Sequence, residues 1–470
     1  MCIFSPVTDR IFCLGIWGMD EERENGGGKV GMLVKNYDEV KQTEERKIIL
    51  DCLNHVFSSL SPSSAVERYA EKISGDIDQS HRVFVIGFGK ASLAMYSGIR
   101  KKVMDKLAYA GIIVPEDQDI SMEFGELEIL RGNHPKTSAL SVRSSKTLIG
   151  HLNGLKNDDL VIVLISGGGS ALFEIPENGV DIETLSSISD CMMKHGADIY
   201  ELNRIRQLMS SVKGGKLADI LKPAKVRSMI VSDVTGDDLS IIASGPLVNP
   251  SDPGTVGNII SRYGDRCEGM SILEKFYSAR HDGNENLKNV ENLLVLRNYD
   301  YVNSAGKFLI HNGKDVIRWR MGVTGEVSDV AANLANIVRS MFRLFNKPFW
   351  LVFGGETTVN VTGKGKGGRN QELVLRFMNN MERNELFTFA STGTDGIDGY
   401  SDAMGGISDS LLKNKIPEHE LLESLENSDS NTILSKYGSA VVTGRTGTNV
   451  SDMMILYYGG KTGRGGIDDT

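Results

Sequence analysis

Basic charge, proline, cysteine and long apolar runs are all scarce in this 470-residue chain, and each scarcity removes a class of function. Its 52 lysines and arginines are outnumbered by 61 aspartates and glutamates, leaving a net charge of −9. A broad basic surface able to hold a phosphate backbone is therefore not expected, and no nucleic-acid partner follows; an anionic substrate would need a local basic pocket. No apolar run reaches the roughly 18 residues that suggest a membrane span, so no membrane partner is expected. The stretch from Ile11 to Trp17 is short and runs into Asp20, Glu21 and Glu22, unlike a signal peptide. Five cysteines (Cys2, Cys13, Cys52, Cys191, Cys267) are odd in number, widely spaced and show no metal-ligand intervals, which fits a reducing cytoplasm. Eight histidines form no ligand set, and neither His-Glu-x-x-His nor Gly-x-Ser-x-Gly occurs, so zinc and serine hydrolase chemistry fall away.

Glycine, by contrast, is plentiful, at 52 residues against 11 prolines. The glycines cluster in short loops after apolar runs, with no collagen-like or linker-like repeat. No period of 20 to 50 residues is visible, which sets solenoids and propellers aside.

The length suits two globular domains. Residues 1–40 read as a poorly ordered extension, with Met32 a candidate alternative start. Ile49, Leu53, Val56 and Phe57 recur at helical spacing over residues 44 to 58. A second helix is expected to begin at Ser64, with a capping box to Glu67. Short, nearly all-apolar runs followed by glycine loops and amphipathic helices then recur: Val83–Ile86, Ala110–Val114, Leu160–Ile165, Ser228–Val231, Leu293–Leu296, Val316–Arg320, Phe349–Phe353, Phe387–Ala390 and Ala440–Val442. Such runs predict parallel strands buried on both faces, hence a doubly wound α/β chain. The polar, turn-rich stretch at 280–292 is the natural boundary. The expected division is a Rossmann-like domain over 41–285, a second α/β domain over 286–460, and a tail over 461–470.

Several strand-to-helix loops are built to face an anion. Gly87-Phe-Gly89-Lys90 follows an apolar strand, so backbone N–H groups and a lysine meet whatever binds there, although a tight turn with a solvated lysine reads equally well. Ser166-Gly167-Gly168-Gly169-Ser170 is more telling, because three consecutive glycines at a strand end are costly unless backbone must approach a ligand closely. A carboxylate or phosphate nest is the expected role. Asn203, Arg206, Ser210 and Lys213 are spaced to share one helix face, which suits either a solvated surface or an anion cleft. Asp233, with Asp237 and Asp238, ends another strand, and Asp395 and Asp398 lie in a glycine-rich loop; hard oxygen ligands at strand ends can hold Mg²⁺, though aspartate is also common in turns. The densest cluster is Gly354-Gly355-Glu356 through Gly363-Lys-Gly-Lys-Gly-Gly-Arg369, where an arginine fork sits at a helix start. His134, in Gly132-Asn-His-Pro, is expected to serve a structural turn.

Taken in order, these loops resemble the class II glycerate 2-kinase family, whose C-terminal part is the MOFRL domain. The resemblance runs from about residue 45 to 458 and includes Gly-Phe-Gly-Lys-Ala-Ser at 87, Asn-His-Pro at 133, Ser-Gly-Gly-Gly-Ser at 166, Ser-Val-Lys-Gly-Gly-Lys at 211, Ser-Asp-Val-Thr-Gly-Asp-Asp at 232, Gly-Gly-Glu-Thr-Thr at 354, Gly-Lys-Gly-Gly-Arg-Asn-Gln-Glu at 365 and Gly-Thr-Asp-Gly at 393. It implies transfer of the ATP γ-phosphate to the 2-hydroxyl of D-glycerate, with Mg²⁺, in a cleft between two α/β domains. It carries catalytic roles to Lys90 and Arg369, and adds Glu356, Asn370 and Thr394 to a substrate- or phosphate-binding set with Gly87, Gly89, Ser166–Ser170, Arg206 and Lys213. Asp233 or Asp395 would bind Mg²⁺ or accept the hydroxyl proton. Lys136-Thr137-Ser138, Leu247-Val248-Asn249 and Arg445 depart from the family's usual loops. A homodimer is the assembly such an enzyme would form. Two other readings stand beside it: a nicotinamide-dependent hydroxypyruvate reductase, weakened by Ser92 at the third glycine position of a dinucleotide fingerprint, and a non-catalytic sugar-acid or nucleotide sensor.

Overall fold

The computed structural model describes residues 2–5, 10–13, 33–120, 124–250, 255–273, 276, 287–320 and 322–462. The expected boundary stretch before Leu287, the candidate start at Met32 and most of the tail lie outside the described residues. Two compact units emerge: a first comprising Ser61–Arg297 with Gly447–Val450, and a second comprising Met1–Leu60, Asn298–Thr446 and Ser451–Thr470.

The first unit is built on six parallel strands, β1 (Arg82–Phe88), β2 (Leu107–Pro115), β3 (Leu127–Gly132), β4 (Asp159–Ile165), β5 (Lys225–Val231) and β6 (Val290–Leu296), ordered β3-β2-β1-β4-β5-β6. This is the doubly wound order, with its switch point between β1 and β4. The continuous apolar runs have the expected cause. Along β1, Phe84, Ile86 and Phe88 join one core layer with Val161, Val163 and Ile165 of β4, while Val83, Val85, Ile162 and Leu164 are buried from the other side. A separate helical core forms where the helices Ile182–Lys194 and Ile199–Met209 pack with Val256, Ile259, Tyr263 and Cys267.

Besides an antiparallel pair of short strands, Cys2–Ser5 and Arg10–Cys13, the second unit has a sheet of seven strands: β7 (Val316–Arg318), β8 (Val323–Glu326), β9 (Phe349–Thr358), β10 (Glu385–Gly393), β11 (Gly405–Asp409), β12 (Ala440–Val441) and β13 (Asp452–Lys461). The order is β8-β9-β13-β10-β11-β12, with β7 also on β9. Only β7 and β8 run parallel to β9; β13 is antiparallel to both neighbours, as are β10 to β11 and β11 to β12. The α/β character expected of this half holds, but its sheet is mixed rather than parallel throughout. A central strand such as β13, buried on both faces, reads as the same apolar run whichever way it points.

Three boundaries differ from the sequence reading. Residues 33–40, expected in a loose extension, pack in place: Val34 and Val40 are fully buried and Asn36 donates to the Ala440 carbonyl. The helix Glu44–Ser59 belongs to the second unit, because the wholly buried Arg46 donates through Nε to Asp409 at 2.6 Å and through Nη1 to Ser439. The following helix, Pro62–Lys72, is capped by Ser61 with Ser64 rather than by Ser64 with Glu67, since Pro62 is preorganised for the first helical position. The cysteines also differ from expectation. Cys191 and Cys267, 76 residues apart, form a disulfide within the helical core, a pairing that spacing alone does not reveal.

Candidate active-site groups on the two units

In the first unit, the ends of β1 and β4 build the switch point. Gly89 adopts φ +124° and a side chain there would collide with Ser166, so only glycine lets these two loops touch. Two hydrogen bonds then tie them: Lys90 N–H to the Gly167 carbonyl at 3.0 Å, and Ala91 N–H to the Ser166 hydroxyl at 3.0 Å. The Lys90 ammonium, half-buried, forms no ion pair or hydrogen bond with any described residue. Gly168 sits in the left-handed region at φ +84°, and the N–H groups of Gly167 and Gly168 donate to no described residue, which gives the nest its anion-facing donors. Asp233, from the end of β5, stands against Gly167 so closely that a Cβ there would lie 2.0 Å from its Oδ2.

His134 joins this group, from the segment after β3. A Cβ on Gly168 would lie 3.0 Å from His134 Cδ2, 3.3 Å from its Nε2 and 3.5 Å from Lys90 Cγ. His134 is exposed, and partial desolvation with the Lys90 charge lowers its pKa against the opposing pull of Asp117. The imidazole is thus neutral near pH 7. The strand β3 alternates polar and apolar residues and is not marked by an apolar run, and Asn-His-Pro follows it in a bend, in keeping with the expected turn.

The remaining first-unit residues take supporting places. Gly87 lies inside β1, wedged between Ile112 and Leu164, not in the loop, because the strand runs on to Phe88. Gly169 packs against Phe88 and Ala243. Ser170 shares a hydrogen bond with the Ser244 hydroxyl, which in turn donates to Asn203. The expected single helix face is broken, since the helix ends at Met209 and Ser210 is extended. Lys213 lies buried beyond it, paired with the buried Glu174 and donating to the Ser170 carbonyl at 2.6 Å. It props the nest from below. Arg206, which burial shifts to lower pKa, makes no hydrogen bond or ion pair with any described residue and stays available to an anion.

In the second unit, strand register assembles the site. Asp452, first residue of β13, sits between Gly355 of β9 and Gly393 of β10. Fully buried, it accepts both arms of Arg369, from Nε at 2.7 Å and Nη2 at 2.9 Å, while Nη1 reaches Glu356 at 2.7 Å. Burial pushes the Asp452 carboxyl up to about 6 despite the guanidinium, and the Arg369 pKa rises because Asp452 and Glu356 outweigh its own burial. Arg369 is therefore a fixed fork with its direction set from behind. The sequence does not single out Asp452, as nothing local marks it as the partner of a residue 83 positions earlier.

The neighbouring candidates are committed to the scaffold. Asp398, buried, accepts from the N–H groups of Asn370 and Gln371 and from both side-chain amides, capping the helix Arg369–Asn380. Asn370 is wholly buried and also accepts from Ser391. Thr394 donates its hydroxyl to the Ser451 carbonyl. Asp395 uses one oxygen to accept from Ile397 N–H, leaving the other toward its surroundings. Along 363–368 the glycines face inward, with a Cβ on Gly363 or Gly365 meeting Asn427 or Asp429, while Lys364 and Lys366 are exposed between them.

The first unit is a doubly wound sheet with a glycine nest at its switch point, of the class that binds small anionic ligands, and the second α/β unit carries a fixed guanidinium of its own. Family comparison makes this specific. Residues 48–271 match a domain of unknown function, DUF4147, and residues 349–452 match the MOFRL family. The chain is 45% identical to a glycerate 2-kinase of Picrophilus torridus over 91% of its length and the whole of that protein. It superposes on the crystal structure of a glycerate kinase from Thermotoga maritima with a TM-score of 0.78 at 30% identity, covering 88% of this chain and 99% of that one. It is also 33% identical to a putative hydroxypyruvate reductase of Agrobacterium vitis, over 80% of this chain and 87% of that protein. The chain belongs to the glycerate 2-kinase family.

Proposed function

We propose that this chain transfers the γ-phosphoryl group of ATP to the 2-hydroxyl of D-glycerate, giving 2-phosphoglycerate and ADP. The observation that carries the reading is Lys90, whose ammonium pairs with no described residue, beside the Gly167–Gly168 nest at the sheet's switch point. Phosphoryl transfer asks a protein chiefly for positioning and for neutralisation of charge on the moving oxygens. Lys90 meets the transferring group, the nest holds a phosphate or carboxylate, and Arg206 offers a second cation. Arg369, aimed by Asp452, supplies a rigid fork of the kind that stabilises charge developing in the transition state.

Mg²⁺ would supply charge neutralisation for the phosphate oxygens in this reading. Asp233 fits it, being a hard carboxylate at a strand end pressed against the nest; Asp395 offers one oxygen. A homodimer belongs to this reading, as does the cytoplasm, though the Cys191–Cys267 disulfide takes away the unpaired cysteines that suggested a reducing compartment. Among the described residues no helix is long and apolar enough to cross a membrane.

The test is ADP release with D-glycerate, L-glycerate and a panel of sugar acids, followed by identification of the phosphorylated carbon. Release with D-glycerate and a 2-phosphate product is expected; a 3-phosphate product overturns the regiochemistry. The name of the Agrobacterium relative makes hydroxypyruvate reduction the second reading. Loss of reduced-nicotinamide absorbance with hydroxypyruvate, without ADP release from glycerate, would establish it.

A further inference from the structure

We propose that the Cys191–Cys267 disulfide is a reversible redox switch, in which thiol–disulfide exchange at the Cys191 sulfur loosens the helix carrying Arg206 and weakens binding of the anionic substrate. The consequence for the substrate rests on the kinase reading; the loosening does not. The bond joins the last turn of the helix Ile182–Lys194 to the segment after the helix Thr255–Tyr263, within a helical core separate from that of the sheet. So small a core buries little apolar surface, and a covalent tie supplies a large share of its order. The two sulfurs are unequally placed. Cys267 is 1% exposed, whereas Cys191 is partly open to solvent, so an incoming thiolate meets Cys191 first.

The helix Ile199–Met209 couples this tie to the nest. It packs Leu202, Ile205, Leu208 and Met209 into the helical core. Glu201, near its start, accepts from the Tyr263 hydroxyl at 2.8 Å and pairs with Arg262 at 3.0 Å, just ahead of Cys267 in the chain. From the same helix, Asn203 accepts from the Ser244 hydroxyl at 2.7 Å, and Gln207 donates to the Ser240 and Ser244 carbonyls at 3.1 and 3.3 Å. Ser244 in turn shares a hydrogen bond with Ser170, at the end of the nest. Arg206 lies between these two side chains in sequence. The disulfide closes a loop of chain, 76 residues in separation, that contains the whole helix with Lys213, Asp233 and Ser244. With the bond broken, only non-covalent packing holds the helix Ile182–Lys194 to the segment around Cys267, and the helix between them gains freedom.

The exchange balances with a small dithiol as reductant. Its thiolate attacks Cys191 Sγ, the protein S–S bond breaks, and the electron pair leaves on Cys267 Sγ, which takes a proton from water. The dithiol's second thiolate then attacks its own sulfur in the mixed disulfide and releases Cys191 as a thiolate, which is protonated in turn. The protein gains two electrons and two protons, and the dithiol loses them to become a cyclic disulfide. A small disulfide such as glutathione disulfide reverses the change, taking the two electrons and leaving as two thiols.

The experiment follows amide hydrogen exchange and ADP release in the full chain before and after dithiothreitol, with alkylation reporting the state of Cys191 and Cys267. Both cysteines should resist alkylation at first and accept it after native-state reduction. Amides of residues 199–209 should then exchange about tenfold faster or more, while those of β1 and β4 stay as they were. The KM for D-glycerate should rise about threefold or more, because a loosened helix must be ordered again on binding. Glutathione disulfide should restore both values, and Cys191→Ser/Cys267→Ser should match the reduced protein and ignore the reductant. Should that variant fold poorly, reduction and reoxidation of the wild-type chain decide. Both cysteines alkylated at the outset, a bond that resists native-state reduction, or unchanged exchange at 199–209 in the reduced protein overturns the switch. Faster exchange with an unchanged KM overturns its link to the substrate. Absence of ADP release from the oxidised protein strikes the kinase reading instead, and hydrogen exchange still judges the switch.

Discussion

At the scale of single residues, the two candidate cations differ in how firmly they are tied into the fold. The Lys90 side chain has no partner among the described residues, so the fold loses little when it is truncated. Lys90→Ala should reduce turnover by about 100- to 1,000-fold, the usual effect of losing a charge aimed at a transition state. Its melting temperature should stay near wild type, and ADP release together with a thermal melt checks both halves. Arg369 is tied in differently. Arg369→Ala strands the buried Asp452 carboxylate, which should cost about 3 kcal/mol near pH 7 beyond any catalytic loss. The sign with pH follows from the raised carboxyl pKa. A folded-state value near 6, higher still without its cation, means the folded protein binds more protons than the unfolded one between pH about 4 and 6. The penalty is therefore greatest above pH 6 and shrinks as pH falls. Urea unfolding of Arg369→Ala at pH 7.5 and 5 should show it, and Arg369→Ala/Asp452→Asn should recover most of the lost stability at the higher pH. Equal losses at both pH values would show that Asp452 is not the source.

Elements were legible in proportion to how local their cause is. The strands of the first sheet other than β3, and β9 and β10 of the second, announce themselves because burial demands an unbroken apolar run. The sequence reading misses β3 for its alternation and β11 for its glycines, and it names neither β8 nor β13 as a strand. The chemistry-bearing loops followed the same rule: Gly89, the glycines of 167–169 and the 363–368 run were visible as local excess, whereas Asp452 behind Arg369, Glu174 behind Lys213 and His134 beside Lys90 depend on register between distant strands. The 363–368 loop also shows why its glycines recur at every second residue. An extended chain presents alternate residues to alternate sides, and Gly365 N–H bonds to the Asn427 carbonyl at 3.0 Å while Lys366 N–H bonds to Asp429 at 2.8 Å. There is no space for a side chain on the inner side. Gly365→Ala, whose Cβ would lie 2.4 Å from that of Asp429, should cost about 1–3 kcal/mol in chemical unfolding. Lys364→Ala, on the exposed side, should stay within about 0.5 kcal/mol of wild type.

At the scale of the whole molecule, the chain order and the spatial order disagree. The second unit opens with the segment ending at Leu60, is interrupted by the whole of Ser61–Arg297, and resumes at Asn298. A cut at a polar linker, which is how a sequence is divided by eye, cannot find such an arrangement. What fastens the early segment is specific. Val34 and Val40 are buried, Tyr301 donates to the Leu60 carbonyl at 3.0 Å, and Arg46 reaches Asp409, Ser439 and the Gly438 carbonyl from full burial. Arg46 thus joins the helix Glu44–Ser59 to the end of β11 and to the residues before β12, two strands formed some 360 residues later in the chain. Removing one member of so buried a pair leaves its partner's charge without compensation, whereas removing both as apolar residues does not. Arg46→Ala should therefore lower stability by about 3–5 kcal/mol, and Arg46→Met/Asp409→Leu should lose much less. Because the segment is part of one unit, the loss should appear as a lower unfolding midpoint for the second unit's buried Trp350, not as fraying of the N-terminus. A tryptophan-fluorescence transition that stays at the wild-type midpoint while the N-terminal segment becomes protease-sensitive would show that the segment docks without being needed by the sheet.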